Sequence, residues 1–358
     1  MIMAQKIKTI VVGCGNMGAS HARAYNKLSG FQLAGLVDIN AQNREKLSAE
    51  LGGIPHFEDF DKALSELKPD AVSICTYPET HAELAIKSFE AGAHVFVEKP
   101  LAVSVEDAAK VVEMARSMNK KLVVGYILRV HPSWKKFIEI ARTLGKPLVM
   151  RMNLNQQSTG KTWPWHKNLL KSMSPIVDCG VHYVDVMCQM TRSKPVHVNA
   201  IGARLTDEIS KDMYNYGQLI VTFEDNSVGW YEAGWGPMMS QTAFFVKDVI
   251  GPEGSVSIMD ADSKGKRSDD IDSHTQTNRL LLHHSKLNSN GDFEPGDQII
   301  NTEDEPDHQA LCDLEQEFFY SSIISDADLT SHQDDAINSL KIVLAADQAY
   351  KTGKTIYL

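Results

Sequence analysis

Along the first 125 residues, short apolar runs alternate with stretches whose apolar positions recur every three to four residues. The runs IKTIVVG, FQLAGLVD, AVSICT, HVFVE and KLVVGY are short and rich in β-branched residues, the pattern of strands buried on both faces. Between them, residues 17–28 and the segments AQNREKLSAELG, THAELAIKSFEAG and SVEDAAKVVEMARSMN repeat at helical spacing. Gly52, Gly53 and Gly92 stop two of these helices; Ser104, with Asp107 three residues on, starts another as an N-cap close to a capping box. This alternation predicts an α/β, doubly wound sheet with parallel strands and right-handed crossovers.

After Pro132 the period changes. KPLVMRMNLNQ, VHVNAIGARL, YGQLIVTFED, SVGWYEAGW and TAFFVKDVIG read as strands joined by short turns, with FEDNSVGW as a hairpin and GPEGSV as a turn. Residues 259–306 read as polar and loop-like around one apolar stretch, Arg279–His284. HQALCDLEQEFFYSSI and QDDAINSLKIVLAADQAYKTG return to helix. The expected organisation is an α/β domain over residues 1–128 and an α+β domain over residues 129–358. The pattern leaves open whether the terminal helices pack back on the first domain.

Composition narrows the partners. Apolar residues make up 43% of the 358, enough for a real core, and the net charge of −10 argues against nucleic acid or an anionic membrane as partner. No apolar run reaches the ~20 residues of a membrane helix, and MIMAQKIKTIVVG enters a strand pattern without the regions of a signal peptide. The five cysteines show no C-x-x-C spacing, so neither disulfides nor a zinc site is expected, and the expected setting is cytoplasmic.

The chemistry starts at VVGCGNMG. Gly13, Gly15 and Gly18 stand in G-x-G-x-x-G spacing directly after a strand and at the start of a helix, the context that makes this motif a dinucleotide fingerprint. Asn16 and Met17 lie within the same motif, Met17 at the start of the predicted helix. Asp38 ends the second strand, 20 residues beyond Gly18, where a carboxylate binds ribose hydroxyls and repels a 2′-phosphate. NAD is therefore the expected cofactor, with Arg44 keeping NADP open against the plainer reading of an exposed helix arginine. Ligands of open α/β sheets bind beyond the carboxyl ends of the strands. That rule adds Thr76, Tyr77, Pro78, His81, Glu98 and Lys99 to the cofactor side. A lysine there can hold a substrate hydroxyl and lower its pKa; the plainer reading pairs it with Glu98. VDCGVHYVD, read as one helix, aligns Asp178, His182 and Asp185 at i, i+4 and i+7. Such a stripe suits a metal, a proton relay or a braced histidine. No H-x-x-x-H or acidic cluster supplies further ligands, so no metal is expected.

Together VVGCGNMG, VDIN, CTYPETHAELAIKSFEAGAHVFVEKPLA and SPIVDCGVHYVD resemble the glucose-fructose oxidoreductase/inositol dehydrogenase (Gfo/Idh/MocA) family. The likeness covers the first domain and reaches about Met190; AYKTGKTIYL looks like the family's usual close. The resemblance implies a Rossmann domain followed by a domain with a large, open, mostly antiparallel sheet, whose exposed face makes homodimers or homotetramers. It implies a nicotinamide cofactor and oxidation of a secondary alcohol on a sugar or cyclic polyol such as inositol. Lys99 matches the lysine at the reacting hydroxyl, Asp178 a substrate-binding aspartate, His182 the histidine that exchanges the proton, and Asp185 a structural position. The chain departs from the pattern where Tyr77–Pro78 replaces a proline–asparagine pair, where Ile127 and Leu128 replace polar residues, and where MSPIVD lacks a doubled glycine.

Other residues are candidates for setting the substrate. Trp163, Trp165 and His166 form either a sugar-stacking platform or a core aromatic group. Tyr126 and Arg129 follow the last Rossmann strand and are placed at the substrate, with His131 read as structural. Asn153 and Asn155 read as surface residues. An NAD-dependent glycosidase working by transient oxidation would use the same residues. A non-catalytic sugar or redox sensor predicts a missing lysine or histidine, and both are present.

Overall fold

The computed structural model describes residues 6–240, 246–259, 275–302 and 304–358. These form two compact units, Met1–Val130 with Pro306–Ile337 and His131–Glu305 with Asn338–Leu358.

In the first unit, strands β1 (Ile7–Val12), β2 (Phe31–Val37), β3 (His56–Phe57), β4 (Ala71–Ile74), β5 (His94–Glu98) and β6 (Leu122–Gly125) make a six-stranded sheet in the order β3-β2-β1-β4-β5-β6. Every pair is parallel. The order reverses at β1, so the ends of β1 and β4 frame the crevice where such sheets take a ligand. Helices α1 (Asn16–Lys27), α2 (Ala41–Glu50), α3 (Phe60–Leu67), α4 (His81–Glu90) and α5 (Val105–Ser117) are the crossovers. Asn40, Asp59 and Ser104 cap α2, α3 and α5 by accepting backbone N–H bonds. β3 and α3 lie beyond the elements that the sequence pattern predicts. A two-residue strand carries no periodicity, whereas α3 had a signal in Asp59 followed by a helical apolar pattern.

The second unit opens with α6 (Pro132–Ala141), which His131 caps by accepting from Ser133 N. Strands β7 (Val149–Gln157), β8 (Pro195–Ala203), β9 (Tyr216–Phe223), β10 (Val228–Gly236), β11 (Lys247–Gly251), β12 (Gly254–Met259), β13 (Arg279–His284), β14 (Gln298–Asn301) and β15 (Ile356–Tyr357) form one sheet. Its order is β14-β13-β12-β11-β7-β10-β9-β8-β15, antiparallel except for β7 with β10. Two expectations change here. Part of residues 259–306 is strand, because β13 and β14 extend the sheet edge; residues 260–274 and 303 lie outside the described residues. The start of TAFFVKDVIG, residues 242–245, also lies outside them.

One sheet face is covered by α6, α7 (Thr162–Leu169), α8 (Pro175–Asp178) and α9 (Gly180–Thr191), over a core that includes Met150, Met152, Tyr231, Val184 and Met187. Helices α10 (His308–Ile324) and α11 (Thr330–Thr352) end the chain. Helix α10 and residues of α11 up to Ile337 belong to the first unit, where Phe319 and Leu329 join the core of Val11, Leu36 and Phe96. Among the described residues, no helix is long and apolar enough to cross a membrane.

Candidate cofactor and substrate sites

The glycine loop divides its work by space. Gly13 has φ +89°, and a Cβ there would lie 2.5 Å from the Cys75 carbonyl oxygen; a Cβ on Gly18 would lie 1.7 Å from the Gly13 oxygen. Both are glycines because the loop packs on itself and on the end of β4. Gly15 is different: nothing lies within 4 Å of its Cβ position, and its φ of −70° suits any residue. Folding does not need glycine there, but a phosphate approaching the start of α1 does. Asn16 and Met17 begin that helix, Asn16 exposed and Met17 partly so.

Asp38 stands beside the loop at the end of β2. Its carboxylate accepts from Cys14 N at 2.7 Å and Asn40 N at 2.7 Å, which fixes its direction. Burial, followed by the charge of Asp38, pushes the Cys14 thiol up to about 12, so it stays protonated. Arg44 is not an exposed helix arginine. Its guanidinium donates to the carbonyls of Asp38 at 3.0 Å and Ile39 at 3.3 Å and reaches Glu58 at 3.4 Å, so it braces the turn.

At the other strand ends, Tyr77 is 61% exposed, Pro78 opens a short 3-10 turn, and the hydroxyls of Thr76 and Thr80 meet at 2.7 Å. Lys99 is partly exposed. Two residues expected at the cofactor instead turn into the unit. His81 is fully buried, with Nδ1 2.8 Å from the Pro100 oxygen and Nε2 3.1 Å from the Thr76 oxygen. Burial holds its pKa below the usual histidine value. Glu98 is buried against His21, Oε1 to Nε2 at 2.8 Å. Tyr126 is buried too, its ring carrying the Arg129 guanidinium at 5.7 Å, while Arg129 pairs with Asp335 at 2.9 Å.

In the second unit the expected single helix of VDCGVHYVD is two. Asp178 ends the one-turn α8 and His182 lies in the first turn of α9, so the three-residue stripe is broken at Cys179. Both side chains are partly exposed, whereas Asp185 is buried and accepts from Gln189 Nε2 at 3.0 Å. The helix pair is well anchored. Ser174 caps α8 and donates to Asp347 Oδ1 at 2.8 Å. Gly180 sits on the Tyr231 ring, 2.8 Å from where its Cβ would be. Near Asp178 lie the half-buried Cys179 and the buried Gln156, Trp235 and His166. Cys179 Sγ is 3.4 Å from Asp178 Oδ2 and 3.8 Å from Gln156 Oε1, which also accepts from Trp235 Nε1 at 2.7 Å. His166 stacks on Trp235 with centroids 4.4 Å apart and meets Ser158 Oγ at 2.6 Å.

His166 and Trp163 therefore line the interior rather than an open platform: Trp163 packs with Leu170, Ile209 and Trp235 and donates to Glu208 at 3.1 Å. Trp165, 52% exposed, is the member of the trio that presents a ring to solvent. Asn153 and Asn155 are also buried, correcting the surface reading; Asn153 Oδ1 accepts from Val246 N at 2.7 Å and Asn155 donates to Glu232. Gln156, Tyr231 and Trp235 had no mark in the sequence beyond a strand pattern.

Comparison with known proteins bears on the family and the fold. Residues 7–126 match the GFO_IDH_MocA profile, described as an oxidoreductase family with an NAD-binding Rossmann fold, and residues 135–257 match the C-terminal domain profile of the same family. A UDP-N-acetylglucosamine 3-dehydrogenase of Acidithiobacillus ferrooxidans is 33% identical over 203 residues, 56% of this chain and 60% of that protein, so the match spans less than two thirds of that relative. A scyllo-inositol 2-dehydrogenase (NAD(+)) of Bacillus subtilis is 27% identical over 266 residues, 72% of this chain and 75% of that protein. Among solved structures, scyllo-inositol dehydrogenase from Lactobacillus casei with NAD(H) and scyllo-inositol superposes with TM-score 0.78 over 99% of both chains at 21% identity. That likeness shows the fold.

Proposed function

We propose that this chain, which belongs to the GFO/IDH/MocA oxidoreductase family, is an NAD-dependent dehydrogenase that oxidises a secondary hydroxyl of a sugar or cyclic polyol. The observation that carries this reading is the pairing, on one chain, of a glycine loop left open at Gly15 with a strand-end lysine and an aspartate–histidine helix pair. NAD, when bound, supplies the hydride acceptor. Gly15, the first turn of α1 and Asp38 would hold its pyrophosphate and ribose. The Lys99 ammonium holds the reacting hydroxyl and stabilises the alkoxide as it forms. His182 takes the hydroxyl proton as the base, a role imidazole commonly fills. Asp178 binds and orients the substrate, and Trp165 offers a ring face to its apolar side. The names of the relatives, acting on inositols and a nucleotide sugar, support the substrate class.

The outer sheet face supports a homodimer or homotetramer. Ile201, Ile220, Val149 and Ile250 share that face by register and are all exposed. Ile220→Asp should shift the sedimentation profile toward monomer.

The catalytic assignment is tested with Lys99→Ala and His182→Ala. Each should lower kcat by about 100-fold or more while NAD still binds. Near-full turnover in either variant overturns that residue's role. Release of sugar from a glycoside without net NADH would instead identify an NAD-dependent glycosidase.

A further inference from the structure

Lys99 stands between two residues that buried histidines hold. On one side, Glu98 turns its carboxylate inward, where it accepts from His21 Nε2 at 2.8 Å and from the Lys99 backbone N–H at 3.1 Å. Space for it exists because its partner across β5 and β6 is Gly125; a Cβ there would lie 3.3 Å from Glu98 Cδ and Oε1. The direction of the His21 bond follows from its other neighbour. Gln316 Nε2 lies 2.8 Å from His21 Nδ1, and an amide nitrogen only donates, so Nδ1 accepts and Nε2 carries the proton given to Glu98. Gln316 Oε1 in turn accepts from Tyr25 OH at 2.5 Å. On the other side, His81 Nδ1 donates to the Pro100 carbonyl at 2.8 Å, the shorter of its two contacts; burial favours the neutral ring, whose Nε2 then has no proton for the Thr76 carbonyl 3.1 Å away.

Stability alone does not account for this chain of polar groups. His21, His81 and Gln316 are fully buried and Glu98 nearly so, and a buried carboxylate held by hydrogen bonds is often no more stabilising than apolar residues of equal volume. Glu315 adds a second buried carboxyl. Burial, followed by the charge of Glu98, raises its pKa well above the usual carboxylate value. The cluster of His21, Cys312 and Glu315 has donor atoms within 4.8 Å of one another. It does not suit a metal, because both His21 nitrogens already have partners at 2.8 Å.

We propose that His21 and His81 are positioning residues for Lys99, His21 acting through the Glu98 carboxylate and the Lys99 amide, His81 through the Pro100 carbonyl. The inference rests on the catalytic reading of Lys99 above. It predicts a crossed pattern of rescue. Glutamine carries an N–H donor about as far out as histidine Nε2, and asparagine carries one about where Nδ1 lies. His21→Gln and His81→Asn should therefore keep kcat within about threefold of the native enzyme. His21→Asn and His81→Gln should lose about 10- to 100-fold in kcat with the NAD dissociation constant little changed, the scale expected of a displacement near 1 Å.

A second readout needs no substrate. Lys99 in the full-length protein is acetylated with acetic anhydride, and its labelling is followed by peptide mass spectrometry against the other lysines. His21→Asn and His81→Gln should change the Lys99 rate at least about threefold and leave the others unchanged; His21→Gln and His81→Asn should not. Loss that follows melting temperature alone, equal in all four variants, overturns the proposal. So does unchanged Lys99 labelling in His21→Asn and His81→Gln. If those variants keep full kcat while Lys99→Ala loses it, positioning is wrong and the catalytic reading stands. If Lys99→Ala itself keeps turnover, the catalytic reading falls and positioning for catalysis falls with it.

Discussion

A single methyl group distinguishes the two kinds of glycine in the loop. At Gly15 a Cβ meets nothing within 4 Å and the backbone is ordinary, at φ −70°. Gly15→Ala should therefore leave the first unit about as stable as before, within about 1 kcal/mol, since a compatible glycine-to-alanine change and a slightly weaker cap roughly offset each other. At Gly18 the added carbon would sit 1.7 Å from the Gly13 carbonyl oxygen, less than half a contact distance, so α1 must move away from β1. Overpacking of that size costs about 3 kcal/mol or more, or roughly 6–12 °C of melting temperature for a unit of this size. Cofactor binding should show a different order. The Gly15 methyl occupies the approach of the pyrophosphate and should weaken NAD by about 2–3 kcal/mol, some 30- to 150-fold, through lost backbone hydrogen bonds to a charged group. Differential scanning fluorimetry reads the first quantity and titration calorimetry with NAD the second. Gly15→Ala binding NAD within about twofold of the native protein would refute the reasoning. So would a loss of stability as large as that of Gly18→Ala.

Further predictions concern charge. Asp38→Ala should weaken NAD and relax its preference over NADP by about 10-fold or more, because a charged hydrogen-bond acceptor and a repulsive charge are removed together; an unchanged ratio of kcat/KM for the two cofactors would show that the carboxylate does not reach the ribose. Burial lowers His81, His332 and His94 below the usual histidine pKa, His94 to about 4, with the nearby lysines Lys120 and Lys121 adding to the shift of His94. The unfolded chain takes up these protons first, so the stability they contribute is complete above about pH 6.5 and falls as pH drops toward 4, by about 1.4 kcal/mol per pH unit for each proton. Glu315 and Asp347 act in the opposite sense, since burial raises both and a raised carboxyl costs stability as pH rises, but these two carboxyls stand against four histidines once His131, also lowered by burial, is counted. Melting temperature should thus fall between pH 6.5 and 4.5. His332→Gln, which keeps an acceptor for the Val124 N–H now bound at 2.9 Å, should flatten the slope; an equal slope would show that His332 is not among its causes. Dialysis against a chelator should leave activity unchanged, and loss restored by zinc or manganese would contradict a metal-free relay at Asp178 and His182.

The first sheet was legible in the chain because its buried strands and caps carry local signals: β-branched runs, Ser104 before α5, and glycines at fixed spacing. The loop chemistry of Gly13, Gly15 and Gly18 was legible for the same reason, since turn and helix start are local. What the pattern hid was tertiary. His21 and Glu98 are 77 residues apart, and His21 and Gln316 are 295 apart; nothing near His21 in sequence marks either partner. His81 and Glu98 were placed at the cofactor by their position at strand ends, but a strand end has an inner and an outer side, and only burial shows which one a side chain takes. The break at Cys179 was hidden by a pattern that suits one helix or two. Asn153 and Asn155 read as exposed because polar residues in a strand usually are; here their hydrogen bonds to Val246 and Glu232 make burial possible. Trp163 and His166 fell to the core for a related reason, since Glu208 and Ser158 satisfy their ring nitrogens.

Oxidation of a sugar or polyol hydroxyl with Lys99 at the reacting oxygen can be read in a single assay. The native protein and Lys99→Ala are each given NAD and a panel of inositols, aldoses and UDP-linked amino sugars, and the absorbance of reduced nicotinamide is followed. NADH should form with at least one member of the panel, at a rate at least about 100-fold lower in Lys99→Ala, with NAD binding retained in both. A native protein that binds NAD yet reduces it with none of these substrates, or a Lys99→Ala variant that turns over at the native rate, would contradict it.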